Sequence, residues 1–158
     1  MSEFLTDGLG VKAGGIRPGR YDDRRARDYI KHKYQKPGNV YLGIVSRLDG
    51  PVSGVVLLAR TSKAADRLSA QFREREVGKR YWAVVSGTLH PAAGRLIDWL
   101  SPDERHRKMH VVPPNEPEAK EARLAYRLLR VVAGGSLLEI ELETGRKHQI
   151  RLQLSHHG

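Results

Sequence analysis

The chain has 158 residues, the size of one ordinary domain, and its 39% hydrophobic and 29% charged residues describe a globular rather than a disordered protein. Twenty-eight Lys and Arg against 18 Asp and Glu leave a net charge of +10, which favours polyanionic partners, nucleic acid first and an anionic membrane second. The absence of cysteine excludes a disulfide framework, a cysteine nucleophile and a thiolate zinc site. No apolar run approaches the ~20 residues of a membrane span, and the opening MSEFLTDGLG lacks the basic and apolar regions of a signal peptide. A basic cytoplasmic protein without membrane attachment is the expectation.

The first twenty residues hold five glycines and one proline and read as an irregular lead-in. From Asp22 the pattern changes. Ala26, Tyr29, Ile30, Lys33 and Tyr34 recur at helical spacing, Asp22 and Asp23 suit the positive end of a helix, and Pro37-Gly38 stops it. The spacing predicts a helix over 23–34.

YLGIVS (41–46) and VVLLART (55–61) are short apolar runs suited to buried strands, and the RLDGPVSG between them must turn. Thr61 or Ser62 can cap a following helix whose Ala64, Ala65, Leu68 and Phe72 share one face, with Lys63, Arg67, Arg73 and Arg75 on the other. RYWAVVSGT (80–88) reads as a strand. RLIDWL (95–100) reads as a weaker one, followed by the polar stretch SPDERHRKMH and the loop PPNEPEA. ARLAYRLLRVV (122–132) and SLLEIELET (136–144), joined by Ala133-Gly134-Gly135, carry a strong antiparallel hairpin signal. The closing GRKHQIRLQLSHHG fits a strand or a short helix. Strands with a few segregated helices indicate an α+β fold with a mainly antiparallel sheet.

Four groups of residues invite a chemical reading. Asp49 is an acid in a tight turn directly after Arg47-Leu48, and a neighbouring guanidinium favours its ionised form. A rigidly held carboxylate suits a nucleophile or base at a sugar carbon, although Asp is also a common turn former. GRKHQIR packs Arg146, Lys147, His148 and Arg151 into seven residues, a phosphate-binding cluster or a solvated basic face. The alternation Ile150-Leu152-Leu154 argues that part of it points inward. Tyr81, behind Lys79 and Arg80, can stack on a base, whereas its neighbour Trp82 is read as core, since alternating residues face opposite sides. Finally, the histidine pairs His106/His110 and His156-His157 lack an accompanying carboxylate motif, and phosphate-loop glycine patterns are missing, so neither a metal nor a nucleotide cofactor is expected.

Together these pieces resemble the RluA-type RNA pseudouridine synthases. SRLDGPVSGVVLLARTSKAADRLSAQFREREVGKRYWAVVSG is similar to that family's H-R-L-D-x-x-T-S-G turn, strand, helix ending in Q-F-x-x-R, and K-x-Y-x-A-x-V-x-G segment. TGRKHQIRLQLSHHG resembles its T-G-R-x-H-Q-I-R motif. The resemblance covers residues 41–158 and implies the family's catalytic fold there, with 1–40 as a variable lead-in and helix. It further implies that uridines in ribosomal or transfer RNA are isomerised without cofactor or metal.

By the same resemblance Asp49 is the carboxylate that attacks the ribose or abstracts its 2′-hydrogen. Tyr81 stacks on the uracil and takes part in removing its C5 proton, Arg151 pairs with the aspartate, and Arg47 helps open the duplex or hold the flipped nucleotide. Lys63, Arg67, Arg73, Arg75, Lys79, Arg80, Arg146 and His148 are the candidate RNA contacts.

Departures from the pattern are Ser46 where His is frequent, Gly50 where a basic residue is common, and Val52 where Thr is usual. The family's upstream K-P-x-G segment has no counterpart in residues 1–21, and Lys36-Pro37-Gly38 lies too close to Asp49 to be it. Its P-I-x-G-D-x-x-Y segment, which follows the final motif, is also missing. A shortened catalytic domain that self-associates through unpaired sheet edges is therefore expected, the alternative being an inactive RNA-binding remnant.

Overall fold

The computed structural model describes residues 23–49, 52–103 and 108–158. The glycine-rich lead-in, Asp22, Gly50, Pro51 and His106 lie outside the described residues. The chain forms two units, the first running to Glu74 and the second comprising Arg75–Gly158. No described helix is long and apolar enough to cross a membrane.

In the first unit, α1 (Asp23–Lys33) forms where the apolar spacing predicts it. Its Ile30 is buried with Val40 and Leu42, and Ala26, Tyr29 and Leu58 pack around them. The helix and the segment after residue 40 thus share one core. Left-handed backbone at Gln35 and Gly38 (φ 46° and 78°) turns the chain away from the helix end.

The two apolar runs that follow pair over only two residues each, β1 (Gly43–Ile44) with β2 (Leu58–Ala59). They are far shorter than the expected strands. The reason lies at Ser46, whose Oγ accepts the Leu57 N–H at 2.9 Å while the Val45 N–H donates to the Leu57 carbonyl at 3.0 Å. A side-chain hydroxyl has replaced a backbone acceptor, and the regular ladder ends there. The serine in the histidine position of the motif is therefore a hairpin clasp.

Helix α2 (Ser62–Arg73) starts as expected, with Thr61 Oγ1 accepting the Ala64 N–H at 3.1 Å. Ala64, Ala65, Leu68 and Phe72 are half-buried, and Lys63, Arg67 and Arg73 are exposed.

The second unit is a five-stranded antiparallel sheet of β3 (Arg80–Ser86), β4 (Ala93–Asp103), β5 (Lys108–Val112), β6 (Lys120–Val132) and β7 (Gly135–Leu142). Their spatial order is β3-β7-β6-β4-β5, and α3 (Gln149–His156) completes the unit. This is the expected α+β arrangement. One face carries the core of Leu124, Tyr126, Leu138 and Ile140, against which Tyr81, Ala83, Val85, Ile150 and Leu154 pack.

The expected hairpin is β6–β7. Gly134 sits at φ 74° in its two-residue connection, where only glycine is free of strain. The next residue, Gly135, lies between β3 and β6, and an added Cβ would stand 2.1 Å from the Val85 carbonyl oxygen. Gly135→Ala must therefore force β3 and β7 apart. A destabilisation of about 1–3 kcal/mol is expected from such overpacking, read as a lowered thermal midpoint.

Two expectations fail here. The polar stretch after Leu100 contains the end of β4 and the first three residues of β5, which continues through Val111 and Val112. An edge strand exposed on one side needs few apolar residues, so hydropathy did not mark it. Trp82, read as core, is 71% exposed, while Tyr81 packs on the core cluster. Alternation allowed one of the two inside, and the register Tyr81↔Ile140 assigns that place to the tyrosine.

Candidate functional site

Asp49 belongs to the first unit, in the loop between β1 and β2. Its carbonyl accepts the Val52 N–H at 2.9 Å, which closes the turn and holds the half-buried carboxylate on a constrained backbone. Arg47 is exposed two residues before it. Leu48 is the other anchor, with a Cδ1 at 3.4 Å from where a Cβ on Gly54 would stand. The loop is thus pinned by its own apolar residue and glycine.

Tyr81 and Arg151 belong to the second unit. Tyr81 lies on the core face of β3, the face on which Ile150 and Leu154 of α3 also pack. Arg151 follows Ile150 directly and is exposed, so its guanidinium is available while its helix is fixed. The tyrosine and the helix bearing the arginine therefore share one supporting core.

What fixes α3 is a buried polar chain that the sequence did not announce. Gln149 Oε1 accepts from Thr144 Oγ1 and from the Arg146 N–H, each at 2.9 Å. Its Nε2 donates to the Arg123 carbonyl at 3.0 Å and to Gln153 Oε1 at 2.9 Å. Gln153 Nε2 in turn donates to Asp98 Oδ2 at 2.7 Å and to the Ala122 carbonyl at 3.2 Å. His157 Nε2 lies 3.0 and 3.1 Å from the two oxygens of that carboxylate.

Thr144, Gln149, Gln153 and Asp98 are all buried. The amide of Gln149 makes every hydrogen bond that it can, which is the condition under which a buried polar group stabilises rather than costs. One signal could have been read earlier, since Gln149 and Gln153 stand at i, i+4 on the side where apolar residues would be expected. The inward-pointing parts of GRKHQIR are Ile150, which packs on the core, and the glutamine, together with the half-buried Arg146, whose Nε donates to the Glu121 carbonyl at 3.0 Å.

The candidate RNA contacts divide between the units. Arg47, Lys63, Arg67 and Arg73 are exposed on the first, and Arg80 is exposed on β3 of the second, opposite Glu141. His148 holds left-handed backbone (φ 57°) at the start of α3. Arg75 and Lys79 line a cleft of about 290 Å³ with Val77, Gly78, Arg123, Glu141, Leu142 and Glu143.

Burial pushes the Lys79 ammonium below its ordinary 10.5, and the nearby Arg75 and Arg146 guanidinium groups push it further the same way. Three of the expected cations are thus close enough to repel one another. A phosphate among them would relieve that repulsion.

The sign of the lysine effect follows from its direction. A lysine whose folded pKa is depressed binds its proton more weakly in the folded state, so the charged form costs stability below that pKa. The cost fades as pH rises from the depressed value toward 10.5. Lys79→Met is therefore expected to raise the thermal midpoint slightly at neutral pH, with the gain vanishing near pH 10.5. It should also weaken RNA binding and lower the slope of log affinity against log salt by about 0.7–0.9. Melts across pH and salt titrations check both.

The opposite sheet face is laced by ion pairs. Arg127 meets Glu139 at 2.8 Å, and Glu143 is shared between Arg95, at hydrogen-bonding contact, and Arg123 at 3.4 Å. The hydrogen bond from Arg95 holds the Glu143 carboxyl below its ordinary range. Trp82, Val84 and Ile97 are exposed on the sheet. Among the described residues no group of three or more His, Asp and Glu is placed to hold a metal ion.

Comparison with known proteins gives concordant similarities. The sequence pattern of the RNA pseudouridylate synthase family matches residues 8–156. An uncharacterised RNA pseudouridine synthase of Chloroflexus aurantiacus is 43% identical over 122 residues, covering 77% of this chain and 37% of that protein. The ribosomal large subunit pseudouridine synthase D of Zymomonas mobilis is 34% identical over 146 residues (89% of this chain, 45% of that protein), and its Yersinia pestis namesake is 36% identical over 150 residues (94% and 44%). The solved structure of human RNA pseudouridylate synthase domain containing 4 superposes with a TM-score of 0.72 at 26% identity, covering 89% of this chain and 57% of that one. The chain spans 37–45% of the length of the three sequence relatives.

Proposed function

This chain belongs to the RluA-type RNA pseudouridine synthase family, and we propose that it isomerises uridine to pseudouridine in RNA with Asp49 as the reacting carboxylate. The observation that carries this reading is the convergence of Tyr81 and helix α3 on one core, with α3 locked by the Gln149–Gln153–Asp98 chain. A phenol and a guanidinium held on one rigid frame are what base stacking and carboxylate pairing require, because pre-organised groups need no rearrangement in the transition state.

In the proposed sequence the Asp49 carboxylate attacks C1′ or removes the 2′-hydrogen, and the bond from N1 to C1′ breaks. The uracil turns and bonds to C1′ through C5, which expels the carboxylate from C1′ or, on the second course, accompanies return of the abstracted proton to C2′; the C5 proton leaves, and N1 ends protonated. Atoms balance without any oxidant or energy source. Tyr81 stacks on the uracil and assists departure of the C5 proton, and Arg151 has the assigned role of pairing with the reacting carboxylate. Arg47 helps open the duplex or hold the flipped nucleotide.

The target base must leave its stack, at a few kcal/mol, and the cations around Lys79 and along α2 offset that by gripping the backbone. The Zymomonas and Yersinia relatives are named as ribosomal large subunit enzymes, which favours ribosomal over transfer RNA as the substrate. The reading is tested with RNA carrying tritium at C5 of uridine. Release of label by the chain is expected, since that hydrogen departs only when the new carbon–carbon bond forms. A folded chain that binds the RNA and releases none is the RNA-binding remnant instead.

A further inference from the structure

The first unit carries a cluster of cations to which the proposed reaction assigns no role. The Arg60 guanidinium carbon lies over the Tyr34 ring, 3.9 Å from its centroid, a cation–π contact between residues from β2's end and α1's end. Lys33 Nζ stands 5.4 Å from the Tyr29 ring and 5.8 Å from the Tyr34 ring, and it donates to the Tyr29 hydroxyl at 3.0 Å. Lys31, Lys33, Tyr34, Lys36 and Arg60 are all exposed. Among the described residues Lys31, Lys36 and Arg60 have no carboxylate partner.

The way these cations are held distinguishes them from an ordinary solvated face. Aromatic rings order a cation without cancelling its charge, whereas a carboxylate would do both. An exposed guanidinium held over a ring retains the planar fork of N–H donors that grips a phosphate at two oxygens. For Arg60 and Lys33, part of the side-chain ordering that phosphate binding would require is already in place.

We propose that the Tyr34–Arg60 pair, with Lys31, Lys33 and Lys36 beside it, is a binding patch for the phosphate backbone of RNA. The patch rests on the reading above that the substrate is RNA, and it adds to the cations of the sequence motifs a surface built mainly from α1. Arg60 supplies the bidentate contact, Tyr34 is its platform, and the lysines extend the patch along the helix end.

The experiment measures binding of the full chain to a fluorescein-labelled RNA stem-loop across a salt series, with tritium release assayed in parallel. Arg60→Gln and the double variant Lys31→Gln/Lys36→Gln are expected to weaken binding several-fold. They should lower the slope of log affinity against log salt by about 0.7–0.9 for each cation removed. Tyr34→Leu should weaken binding with Arg60 still present, and Arg60→Lys should keep the slope while losing affinity.

Exposed lysines replaced by glutamine remove no packing, so the double variant decides the matter even if Tyr34→Leu is unstable. Parental slope and affinity in the charge variants overturn the patch, whatever the activity. A chain whose binding depends on the patch but which releases no tritium overturns the isomerase reading and leaves the patch standing.

Discussion

Asp49→Asn should release no tritium from C5-labelled uridine RNA above background, a fall of at least about a thousandfold, because the reacting carboxylate has no substitute nearby in sequence. Asparagine is the informative replacement. It keeps the size of the side chain and, like aspartate, tolerates turn conformations, and the turn itself is closed by the Asp49 carbonyl and the Val52 N–H, which the substitution retains. The fold and the cationic surface should therefore survive, and affinity for RNA should hold or rise slightly as a negative charge is lost beside a polyanion. Residual turnover within about tenfold of the parent would remove Asp49 from the role proposed here. Loss of affinity along with turnover would show instead that the loop had collapsed.

Gln153→Leu should lower stability by about 3 kcal/mol or more and the thermal midpoint by roughly 10 °C. Gln153 is fully buried, and its amide bridges Gln149, Asp98 and the Ala122 carbonyl. Leucine fills a similar volume, so the cost is one of satisfaction and not of packing. The Gln149 amide loses an acceptor, the Ala122 carbonyl loses a donor, and the buried Asp98 carboxylate is left with His157 alone. Uncompensated buried charge is the expensive part.

A double variant tests that account. Removing the carboxylate as well, in Asp98→Leu/Gln153→Leu, should cost less than the two single changes together, since the second substitution removes a group already left unsatisfied. Strict additivity would mean that the chain of hydrogen bonds is not a unit. Because α3 carries Arg151, turnover in Gln153→Leu should fall further than the folded fraction, through lost positioning of the guanidinium.

Local sequence determined the elements whose causes are local. The cap at Thr61, the amphipathic spacing of α1 and α2, and the Ala133-Gly134 connection each act within a few residues, and each appears where it was expected. The proposed roles of Asp49, Tyr81 and Arg151 rest on their spacing within three sequence motifs.

Tertiary structure decided the rest. Tyr81 and Trp82 are equally apolar neighbours, and only the pairing of β3 with β7 put the tyrosine on the core and the tryptophan in solvent. β5 is polar enough to read as loop and becomes a strand because β4 offers it hydrogen bonds. Gln149 and Gln153 are polar, and they are buried because Asp98, Thr144 and two strand carbonyls meet them as partners. Periodicity reports which side of an element is apolar. Which neighbour satisfies a donor or covers a face depends on contacts between segments far apart in the chain, and those exist only once the sheet has formed.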